Sequence, residues 1–550
     1  MPDHSTSADV APLLRVRDLT VPLPGGERPY AVRDVSFDIA RGEILCIVGE
    51  SGSGKSISAG AIMGLLPHHL TPERGEILFD GVDLLRLSET EMLARRGRQI
   101  GMIFQEPMSA LNPTMRIGDQ IAEVMAVHGT HPGPARRKRV LDLLDLVGLP
   151  DPATLQHVYP FRLSGGQRQR VVIAMALALE PALLIADEPT TALDVTTQAQ
   201  ILALIKRIQA RMGMGVMFIT HDFGVVADIA DRIAVMEKGV LVEQGRATEV
   251  LDSPRHPYTR HLIAAVPTGR AVPRGVTVED APLLAVRNLI KTYTTSGGPF
   301  RPKRVVPAVC DVSFEVRRGE ALGIVGESGS GKSTIGKCLL KLQGIDGGEI
   351  VFDGQDIAPL SQAAFRPQRR RLQMIFQDPF ASLNPRQTVG RILTDGPVAG
   401  GEARAEAMAR ARTLLDLVGL PASALERYPH EFSGGQRQRV GIARALALQP
   451  DLIVADESVS ALDVSVQAQV LALLKDLQKR LGVALVFITH DLRVAAEVCQ
   501  RIAVMHRGCL VEYGPSAEVL GASREDYTRR LIEAMPGRAW DARRQPASAA

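Results

Sequence analysis

The sequence of this chain repeats itself, and the repeat limits the folds it can adopt more than any other feature. GESGSGKS at residues 49–56 returns at 326–333. A period this long indicates duplicated domains rather than short solenoid repeats, and 550 residues are enough for two large domains. Four further segments recur in the same order: QEPMSALNP and QDPFASLNP (105–113, 377–385), LSGGQRQRV and FSGGQRQRV (163–171, 432–440), LLIADEPTTALDV and LIVADESVSALDV (183–195, 452–464), and FITHD twice (218–222, 487–491).

Short apolar runs precede the repeated motifs and predict the strands of an α/β core. ILCIV (44–48), LLIA (183–186) and VMFIT (216–220) are typical of strands buried on both faces of a mainly parallel sheet. The pattern over 109–163 is more helical, so we expect an inserted helical subdomain there. After the ALDV segment, helical spacing predicts one buried helix face formed by Ile201, Leu204, Ile205 and Ile208.

A segment rich in Pro and Gly separates the two copies. VPTGRAVPRGVTVEDAP at 266–282 has no apolar periodicity and predicts a linker. The similar segments LLRVRDL and LLAVRNL, on either side of it, predict matching first strands. We therefore expect a first domain over 1–265 and a second over 283–535. Residues 536–550 are expected to form a disordered tail.

Composition excludes several classes of protein. Hydrophobic residues make up 45% and charged residues 23%, which is incompatible with a wholly disordered chain. A formal charge of +3 gives no argument for nucleic acid, and no apolar run reaches the roughly 20 residues of a membrane span. The cysteines are odd in number and include no C-x-x-C pair, so we expect neither a disulfide framework nor a zinc site. They are Cys46, Cys310, Cys338, Cys499 and Cys509.

Both copies of GESGSGKS fit the pattern of a phosphate-binding loop between a strand and a helix. Glycines let the backbone wrap round phosphates, whose oxygens accept hydrogen bonds from successive amides. Lys55 and Lys332 are expected to reach the β- and γ-phosphates, and Ser56 and Ser333 to ligate Mg²⁺. The expected nucleotide-binding residues are Gly49, Glu50, Ser51, Gly52, Ser53, Gly54, Lys55, Ser56 and Ile57, then Gly326, Glu327, Ser328, Gly329, Ser330, Gly331, Lys332, Ser333 and Thr334.

Two neighbouring carboxylates end a predicted strand in each copy. Asp187 and Asp456 are expected to hold Mg²⁺, partly through its water shell. Glu188 and Glu457 follow them and are placed to polarise the attacking water. A carboxylate at a strand end is common by itself, but its pairing with a phosphate loop favours the catalytic interpretation.

With the LSGGQ and FSGGQ segments, the chain resembles the ABC-type ATPases over 12–267 and 283–536. The resemblance implies two tandem P-loop NTPase (ABC-type) nucleotide-binding domains of α/β fold. Each would have a mainly parallel-sheet core, an antiparallel β region and an inserted helical subdomain. The signature residues would be Ser164, Gly165, Gly166, Gln167, Ser433, Gly434, Gly435 and Gln436. The resemblance also implies Gln loops with Mg²⁺-binding and catalytic roles (Gln105, Gln377), loop aspartates (Asp194, Asp463) and switch histidines (His221, His490).

The same resemblance implies how the two copies cooperate. The signature serine and glycines begin a helix whose amides bind phosphate. In the family they face ATP held by the opposite domain. Lys55 and Glu188 would then work with Ser433 and Gly435, while the second copy's lysine and glutamate would work with the first copy's signature.

Three departures from the family pattern distinguish the copies. Tyr293 matches the aromatic residue that stacks on adenine, whereas Leu23 takes its place in the first copy. Ile57 replaces a hydroxyl that Thr334 supplies in the second copy. Ser458 replaces a proline of the first copy. No catalytic glutamate is lost, so we expect two hydrolytic sites that use ATP and Mg²⁺.

Weaker motifs resemble one subfamily, the oligopeptide/dipeptide importers. S-x-L-N-P follows both Gln loops, and HPYTR (256–260) and DYTRRL (526–531) lie near the end of each copy. This resemblance implies two integral membrane permeases, each docking a short helix beside a Gln loop. It also implies an extracytoplasmic solute-binding protein that delivers the cargo. The chain would then lie peripherally on the cytoplasmic face of the bacterial inner membrane.

Other interpretations remain open at this point. A tandem ABC ATPase that acts on ribosomes would carry a long charged helical linker, whereas the segment 266–282 is short and rich in Pro and Gly. The ATPase of a different importer, or of an exporter, has the same catalytic motifs. The cargo and the direction of transport depend on the permeases, which the motifs of this chain do not describe.

Overall fold

The computed structural model describes residues 11–25, 28–191, 193–269, 281–295, 304–460 and 462–544. The chain divides into two compact units. The first comprises Met1–Leu193, Thr197–Val266 and Pro536–Ala550, and the second comprises Asp194–Thr196 and Pro267–Met535. Each unit contains one copy of the repeated motifs, except that the last residues of the 183–195 motif, from Asp194, are grouped with the second unit.

Among the described residues of the first unit, the strands form an antiparallel sheet and a mainly parallel sheet. The antiparallel sheet has the order β2-β1-β4-β5, and the other has the order β10-β9-β3-β8-β7-β6. In the second sheet only β10 runs antiparallel to its neighbour. The strands are β1 (Leu14–Pro22), β2 (Tyr30–Ile39), β3 (Ile44–Val48), β4 (Arg74–Phe79), β5 (Val82–Asp83), β6 (Ile100–Ile103), β7 (Leu183–Asp187), β8 (Gly215–Thr220), β9 (Arg232–Glu237) and β10 (Val240–Arg246).

Helices of the first unit cover the parallel sheet and form the insert. Short 3₁₀ turns occur at Leu84–Arg86 and Pro160–Arg162. The α-helices are α1 (Lys55–Met63), α2 (Glu89–Arg95), α3 (Pro107–Ala110), α4 (Ile117–Val127), α5 (Pro134–Leu146), α6 (Pro152–Leu155), α7 (Gly165–Ala176), α8 (Val195–Met212), α9 (Phe223–Ile229), α10 (Ala247–Asp252) and α11 (Pro257–Ala265).

The second unit repeats this architecture within its described residues. Its antiparallel sheet has the order β12-β11-β14-β15, and its mainly parallel sheet has the order β16-β17-β18-β13-β19-β20. The strands are β11 (Leu284–Thr295), β12 (Arg304–Val316), β13 (Ala321–Val325), β14 (Gly347–Phe352), β15 (Gln355–Asp356), β16 (Leu372–Ile375), β17 (Leu452–Asp456), β18 (Ala484–Thr489), β19 (Arg501–His506) and β20 (Cys509–Pro515).

The helices of the second unit follow the same plan. Turns of 3₁₀ type occur at Ala422–Glu426 and Pro429–Glu431. The α-helices are α12 (Lys332–Leu339), α13 (Gln362–Arg371), α14 (Pro379–Ser382), α15 (Val389–Ala399), α16 (Arg404–Leu417), α17 (Gly434–Leu446), α18 (Val464–Leu481), α19 (Leu492–Val498), α20 (Ser516–Gly521) and α21 (Asp526–Glu533).

The predicted fold class is confirmed. Strands β3, β7 and β8 lie at the predicted apolar runs and are buried along their whole length, as parallel strands covered on both faces must be. Helices α3 to α6 form the expected helical insert. The predicted apolar face of α8 is also buried, since Ile201, Leu204, Ile205 and Ile208 are each at most 3% exposed.

The end of the chain differs from the sequence prediction. The expected tail forms a helix, α22 (Arg538–Arg544), in the part that is described. Trp540 is 1% exposed, and the amide of Gly537 donates to Asp228 Oδ2 at 3.0 Å. Arg544 donates to the Ile263 carbonyl at 3.0 Å. Burial of one large indole ring outweighs the fraying expected of a short terminal segment. Most of the predicted linker, at 270–280, lies outside the described residues.

In the described part of the chain, no helix combines the length and apolarity needed to span a bilayer.

Candidate functional site

The phosphate-loop lysine of the first unit is held against its own loop. The loop follows β3 and ends where α1 begins at Lys55. Lys55 Nζ donates to the carbonyls of Gly49 at 2.7 Å and Glu50 at 2.9 Å. Gly54 has a φ of 101°, and a Cβ atom there would lie 2.9 Å from the Ala31 carbonyl oxygen. The loop therefore needs glycine at this position.

The second unit holds its lysine in the same way. Lys332 Nζ donates to the carbonyls of Gly326 and Glu327, both at 2.8 Å. Burial lowers the pKa of Lys332, while the negative charges of Glu457 and Asp456 oppose that shift. Each unit therefore places one buried ammonium group close to a pair of carboxylates.

A serine and an aspartate meet beside each phosphate loop. Ser56 Oγ donates to Asp187 Oδ1 at 3.2 Å, and Ser333 Oγ donates to Asp456 Oδ1 at 2.9 Å. The sequence separation of these partners is large, but β3 and β7 both end at the same edge of the parallel sheet. Burial raises the pKa of both aspartates, although the serine hydrogen bond opposes the shift.

Three side chains surround the carboxylate of Glu188. Gln105 Nε2 and Thr191 Oγ1 each lie 3.0 Å from Glu188 Oε2, and His221 Nδ1 lies 3.4 Å from Oε1. The backbone of Glu188 has a φ of 46°, which is uncommon for a residue with a side chain. Strain of this kind is often found where a side chain must be aimed at a ligand.

The carboxylate of Glu457 has a matching environment in the second unit. Gln377 Nε2 donates to Glu457 Oε2 at 2.7 Å, and His490 Nδ1 lies 3.7 Å from Oε1. The φ of Glu457 is 44°. One contact differs, because Ser460 donates to the Glu457 main-chain carbonyl at 3.0 Å rather than to the carboxylate.

Both glutamates are held in their ionised form. Burial alone raises the pKa of Glu188, but the hydrogen bond and charge of His221, with help from Thr191 and Lys55, lower it to about 2. The interaction with the nearby His490 imidazole lowers the pKa of Glu457. Burial of His490 favours its neutral form, but Glu457 outweighs burial and raises the pKa of the imidazole.

The signature segments begin helices α7 and α17. The Gln167 amide donates to Ser164 Oγ at 3.3 Å, and the Ser164 amide donates to Gln167 Oε1 at 3.0 Å. Ser433 and Gln436 form the same reciprocal cap at 3.0 and 3.4 Å. This cap aligns the first amides of each helix, including those of Gly165 and Gly166 or Gly434 and Gly435.

Loop aspartates lie at the start of the following long helices. Asp194 accepts a hydrogen bond from Thr196 Oγ1 at 2.8 Å. Asp463 directly precedes α18 as its N-cap residue.

Two tyrosines contact the phosphate loops, and sequence reasoning did not assign them this position. Tyr258 Oη accepts from the Glu50 amide, and Tyr527 Oη accepts from the Glu327 amide, both at 3.3 Å. They belong to the HPYTR and DYTRRL segments, which the sequence identified only as subfamily motifs. The sequence feature that could have indicated this contact is the recurrence of a tyrosine at a similar sequence separation from each phosphate loop.

The residues that distinguish the two copies also differ in their surroundings. Tyr293 is 36% exposed, with Lys291 Nζ 5.9 Å from its ring centroid. Leu23 and Ile57 instead pack against the apolar core of the first unit. Ser458 is buried at 3% exposure.

The comparisons with known proteins agree with this geometry. The ABC transporter family matches residues 32–191 and 309–460, so the chain belongs to that family. A further match, to the oligopeptide/dipeptide transporter C-terminal region, covers residues 242–303. The chain is an ATP-hydrolysing subunit of a peptide-type ABC importer, as the sequence predicted.

Curated relatives align over almost the full length. The glutathione import ATP-binding protein GsiA of Salmonella choleraesuis strain SC-B67 is 47% identical, over 97% of this chain and 91% of its own. The protein of the same name from Escherichia coli O157:H7 has the same identity and coverage. A solved dimer of the ATP-binding cassette MJ0796, bound to ADP and Pi, is 30% identical with a TM-score of 0.39, over 42% of this chain and 98% of its own.

Proposed function

We propose that each unit hydrolyses MgATP at the edge where its parallel strands end, and that this hydrolysis drives uptake of small peptides. The observation that carries the proposal is the environment of Glu188 and Glu457. Each carboxylate is held between a Gln-loop amide and a switch histidine, beside a buried lysine. We expect both sites to be hydrolytic, because the two units keep every one of these groups.

The phosphates would bind along the loop amides and the lysine ammonium. Lys55 and Lys332 would contact the β- and γ-phosphates, because the bonds to their own loops keep the ammonium groups beside the amides. Gly54 and its counterpart Gly331 permit the close approach of the backbone. Binding energy at this position also serves catalysis, since phosphoryl transfer depends mainly on positioning and charge stabilisation.

The serine–aspartate pairs fit a magnesium ion. A hydroxyl and a carboxylate oxygen are the ligands that Mg²⁺ prefers, with water and phosphate oxygens completing its shell. Burial, together with a smaller contribution from the neighbouring glutamate, raises the pKa of Asp187 and Asp456, and a cation there would stabilise their ionised form. Ser56 and Ser333 would be direct ligands, with Gln105 and Gln377 nearby. When bound, Mg²⁺ neutralises charge that develops on the phosphates.

The glutamates would orient and polarise the attacking water. A carboxylate with a lowered pKa is ionised at neutral pH, so Glu188 and Glu457 can accept a hydrogen bond from that water. His221 and His490 would hold the carboxylates in place and contact the γ-phosphate. Gln105 and Gln377 would bind the same carboxylates from the other side.

We also propose that the signature segment of each unit contacts a phosphate of bound ATP, as the sequence resemblance implies. The capped helix starts at Ser164 and Ser433 orient amides that suit a phosphate.

Two permease subunits are the proposed membrane partners. Exposed aromatic side chains directly precede the Gln loops, since Phe104 is 46% and Phe376 39% exposed. In the second unit, Phe376 lines a cavity of about 310 Å³ together with Leu340, Ile392 and Arg444. An apolar recess beside a catalytic glutamine suits a short permease helix, which could move when Gln377 moves.

The remaining partner and the location follow from the same proposal. An extracytoplasmic solute-binding protein would deliver the cargo to the permeases. The chain would lie on the cytoplasmic face of the bacterial inner membrane as a peripheral subunit. The proposed cargo is a di- to oligopeptide, with glutathione a specific candidate because the relatives are named for its import.

Transport by reconstituted vesicles tests the proposal. The chain, its permeases and the binding protein would be reconstituted with ATP on the side of the chain, and uptake of radiolabelled glutathione and dipeptides would be measured. We expect uptake that requires ATP and Mg²⁺ and that is lost in the Glu188→Gln, Glu457→Gln double variant.

A matched surface variant separates docking from catalysis. Phe376→Asp should retain ATP binding but lose association with the permeases, whereas Phe161→Asp, at an exposed aromatic outside the recess, should retain both. ATP hydrolysis without uptake of any peptide tested, in vesicles that contain all partners, would contradict the proposed cargo class.

A further inference from the structure

Two cysteines of the second unit meet beside its phosphate loop. The amide of Cys310, on β12, donates to the Gly508 carbonyl at 2.7 Å. A Cβ atom on Gly508 would lie 3.2 Å from Cys310 Sγ, so this sulfur lies over the segment that leads into Cys509. Burial and the neighbouring Cys509 thiol raise the pKa of Cys310, in keeping with a contact between the two side chains.

The turn that carries Cys509 is bonded directly to the phosphate loop. The Gly508 amide donates to the Ser330 carbonyl at 3.1 Å. On the other side, a Cβ atom on Gly331 would lie 2.2 Å from the carbonyl oxygen of Ala308, two residues before Cys310. The loop is therefore packed against both strands that carry the cysteines.

A second contact leads from the same turn to the loop. The ring of His506, at the end of β19, stacks on Tyr527 with 3.9 Å between centroids. Tyr527 in turn accepts the hydrogen bond from Glu327 in the loop. A change in the turn at 506–509 would thus reach the phosphate loop by two routes.

The first unit has the same backbone arrangement without the thiols. The Arg33 amide donates to the Gly239 carbonyl at 2.8 Å, and the Gly239 amide donates to the Ser53 carbonyl at 2.9 Å. Arg33 therefore stands where the second unit has Cys310, and Val240 stands where it has Cys509. Any effect of oxidation would be confined to one of the two sites, and the other serves as an internal control.

We propose that Cys310 and Cys509 form a reversible redox pair whose disulfide slows ATP turnover at the second site only. The oxidant would be a small-molecule disulfide. A disulfide between them would tie β12 to the turn beside the phosphate loop. Because the loop is packed against both segments, we expect the cross-link to restrain it and to weaken nucleotide binding there. Formation of the disulfide does not depend on the proposed function, whereas its effect on turnover does.

The thiol–disulfide exchange takes place in two steps. The Cys509 thiolate attacks one sulfur of the external disulfide, forming a mixed disulfide and releasing one thiolate, which takes up the proton that Cys509 lost. The Cys310 thiol then loses its proton and attacks the Cys509 sulfur, and the second small thiol leaves with that proton. Both cysteines are oxidised by two electrons in total, and the external disulfide is reduced to two thiols.

Exposure favours this pair over the other cysteines. Cys509 is exposed and Cys310 is half-buried, so an external disulfide can reach the first and the second can resolve the mixed disulfide. Cys46, Cys338 and Cys499 are buried. Thiol–disulfide exchange requires access to the attacking thiolate, which the buried cysteines lack.

Peptide mass spectrometry of the full chain tests the bond itself. The protein would be incubated with glutathione disulfide, alkylated and digested. We expect a Cys310–Cys509 cross-linked peptide that dithiothreitol removes, and none in Cys509→Val, which carries the residue of the first unit. Stable glutathionylation of Cys509 without the cross-link, or cross-links between other cysteines, would overturn the proposal.

Site-resolved labelling with azido-ATP tests the consequence. Before and after oxidation, labelled peptides from 49–57 and 326–334 would be quantified in the same sample. We expect labelling of the second unit to fall several-fold on oxidation and to recover with dithiothreitol, while labelling of the first unit stays constant. Equal loss in both units, or a confirmed cross-link with no change, would contradict the switch. Absence of labelling in the reduced protein would instead count against the proposed ATP sites.

Discussion

The hydroxyl of Tyr527 accepts a hydrogen bond from the backbone amide of Glu327 at 3.3 Å, and Tyr258 does the same for Glu50. The C-terminal segment of each unit therefore supports the first turn of its phosphate loop. Burial is the main reason that the pKa of Tyr527 is raised to about 12, so the phenol remains neutral and keeps its proton. This contact links the subfamily motif to the nucleotide site.

We predict that Tyr527→Phe weakens ATP binding at the second site. Loss of one hydrogen bond to a loop amide costs about 1 kcal/mol, or roughly five-fold in affinity. Titration with a fluorescent ATP analogue measures this effect. Tyr513→Phe is the matched control, because its hydroxyl bonds to the Glu315 carbonyl instead. Equal affinities in wild type and Tyr527→Phe would show that the tyrosine does not support the loop.

The two nucleotide sites should differ in their affinity for the adenine base. Tyr293 offers an exposed ring, whereas Leu23 packs against the core. Tyr293→Leu should weaken binding at the second site by about 0.5–1.5 kcal/mol, the range for aromatic stacking, and Leu23→Tyr should tighten the first. Binding of an adenine-labelled nucleotide reports both. If Tyr293→Leu binds the nucleotide with the same affinity as wild type, the Tyr293 ring does not stack on adenine.

Protonation of His490 should stabilise the second unit at low pH. Its pKa is raised above the ordinary 6.5 of histidine by Glu457. The stabilisation is fully present below pH 6.5 and is lost as pH rises through the higher pKa of the folded protein. The difference in unfolding free energy between wild type and His490→Gln should therefore be largest below pH 6.5 and should fall as the pH is raised above that value. A pH-independent difference for His490→Gln would contradict the ion pair.

The terminal helix should contribute to the stability of the first unit. Trp540 is 1% exposed, and the close approach of Gly537 to Gly224 leaves no room for a side chain, since a Cβ atom would lie 2.6 Å from the Gly224 Cα. Trp540→Ala should lower the unfolding free energy by about 3 kcal/mol, the low end for buried Trp→Ala. Trypsin should then cleave faster at Arg543. Arg543→Ala is the surface control, and unchanged stability in Trp540→Ala would show that the helix is not docked in solution.

Much of the architecture could be predicted from the sequence. Apolar runs such as those of β3 and β7 reveal buried parallel strands, and the repeated motifs locate Lys55, Glu188 and their counterparts, because each depends on a short local pattern. The Cys310–Gly508 contact could not be predicted, since it depends on how distant segments pack. The prediction of a disordered tail was wrong over Arg538–Arg544, because one tryptophan in a polar segment gives no periodic signal of a helix.

The rate of ATP hydrolysis in single and double variants tests the central claim most directly. Glu188→Gln and Glu457→Gln preserve shape but remove the charge that polarises water, so each should slow turnover by roughly 10²-fold or more at its own site, in the range for general-base groups. ATP binding should be retained, with two molecules held per chain in the double variant. Wild-type turnover in either variant, or one ATP per chain in the double variant, would contradict an account with two hydrolytic sites.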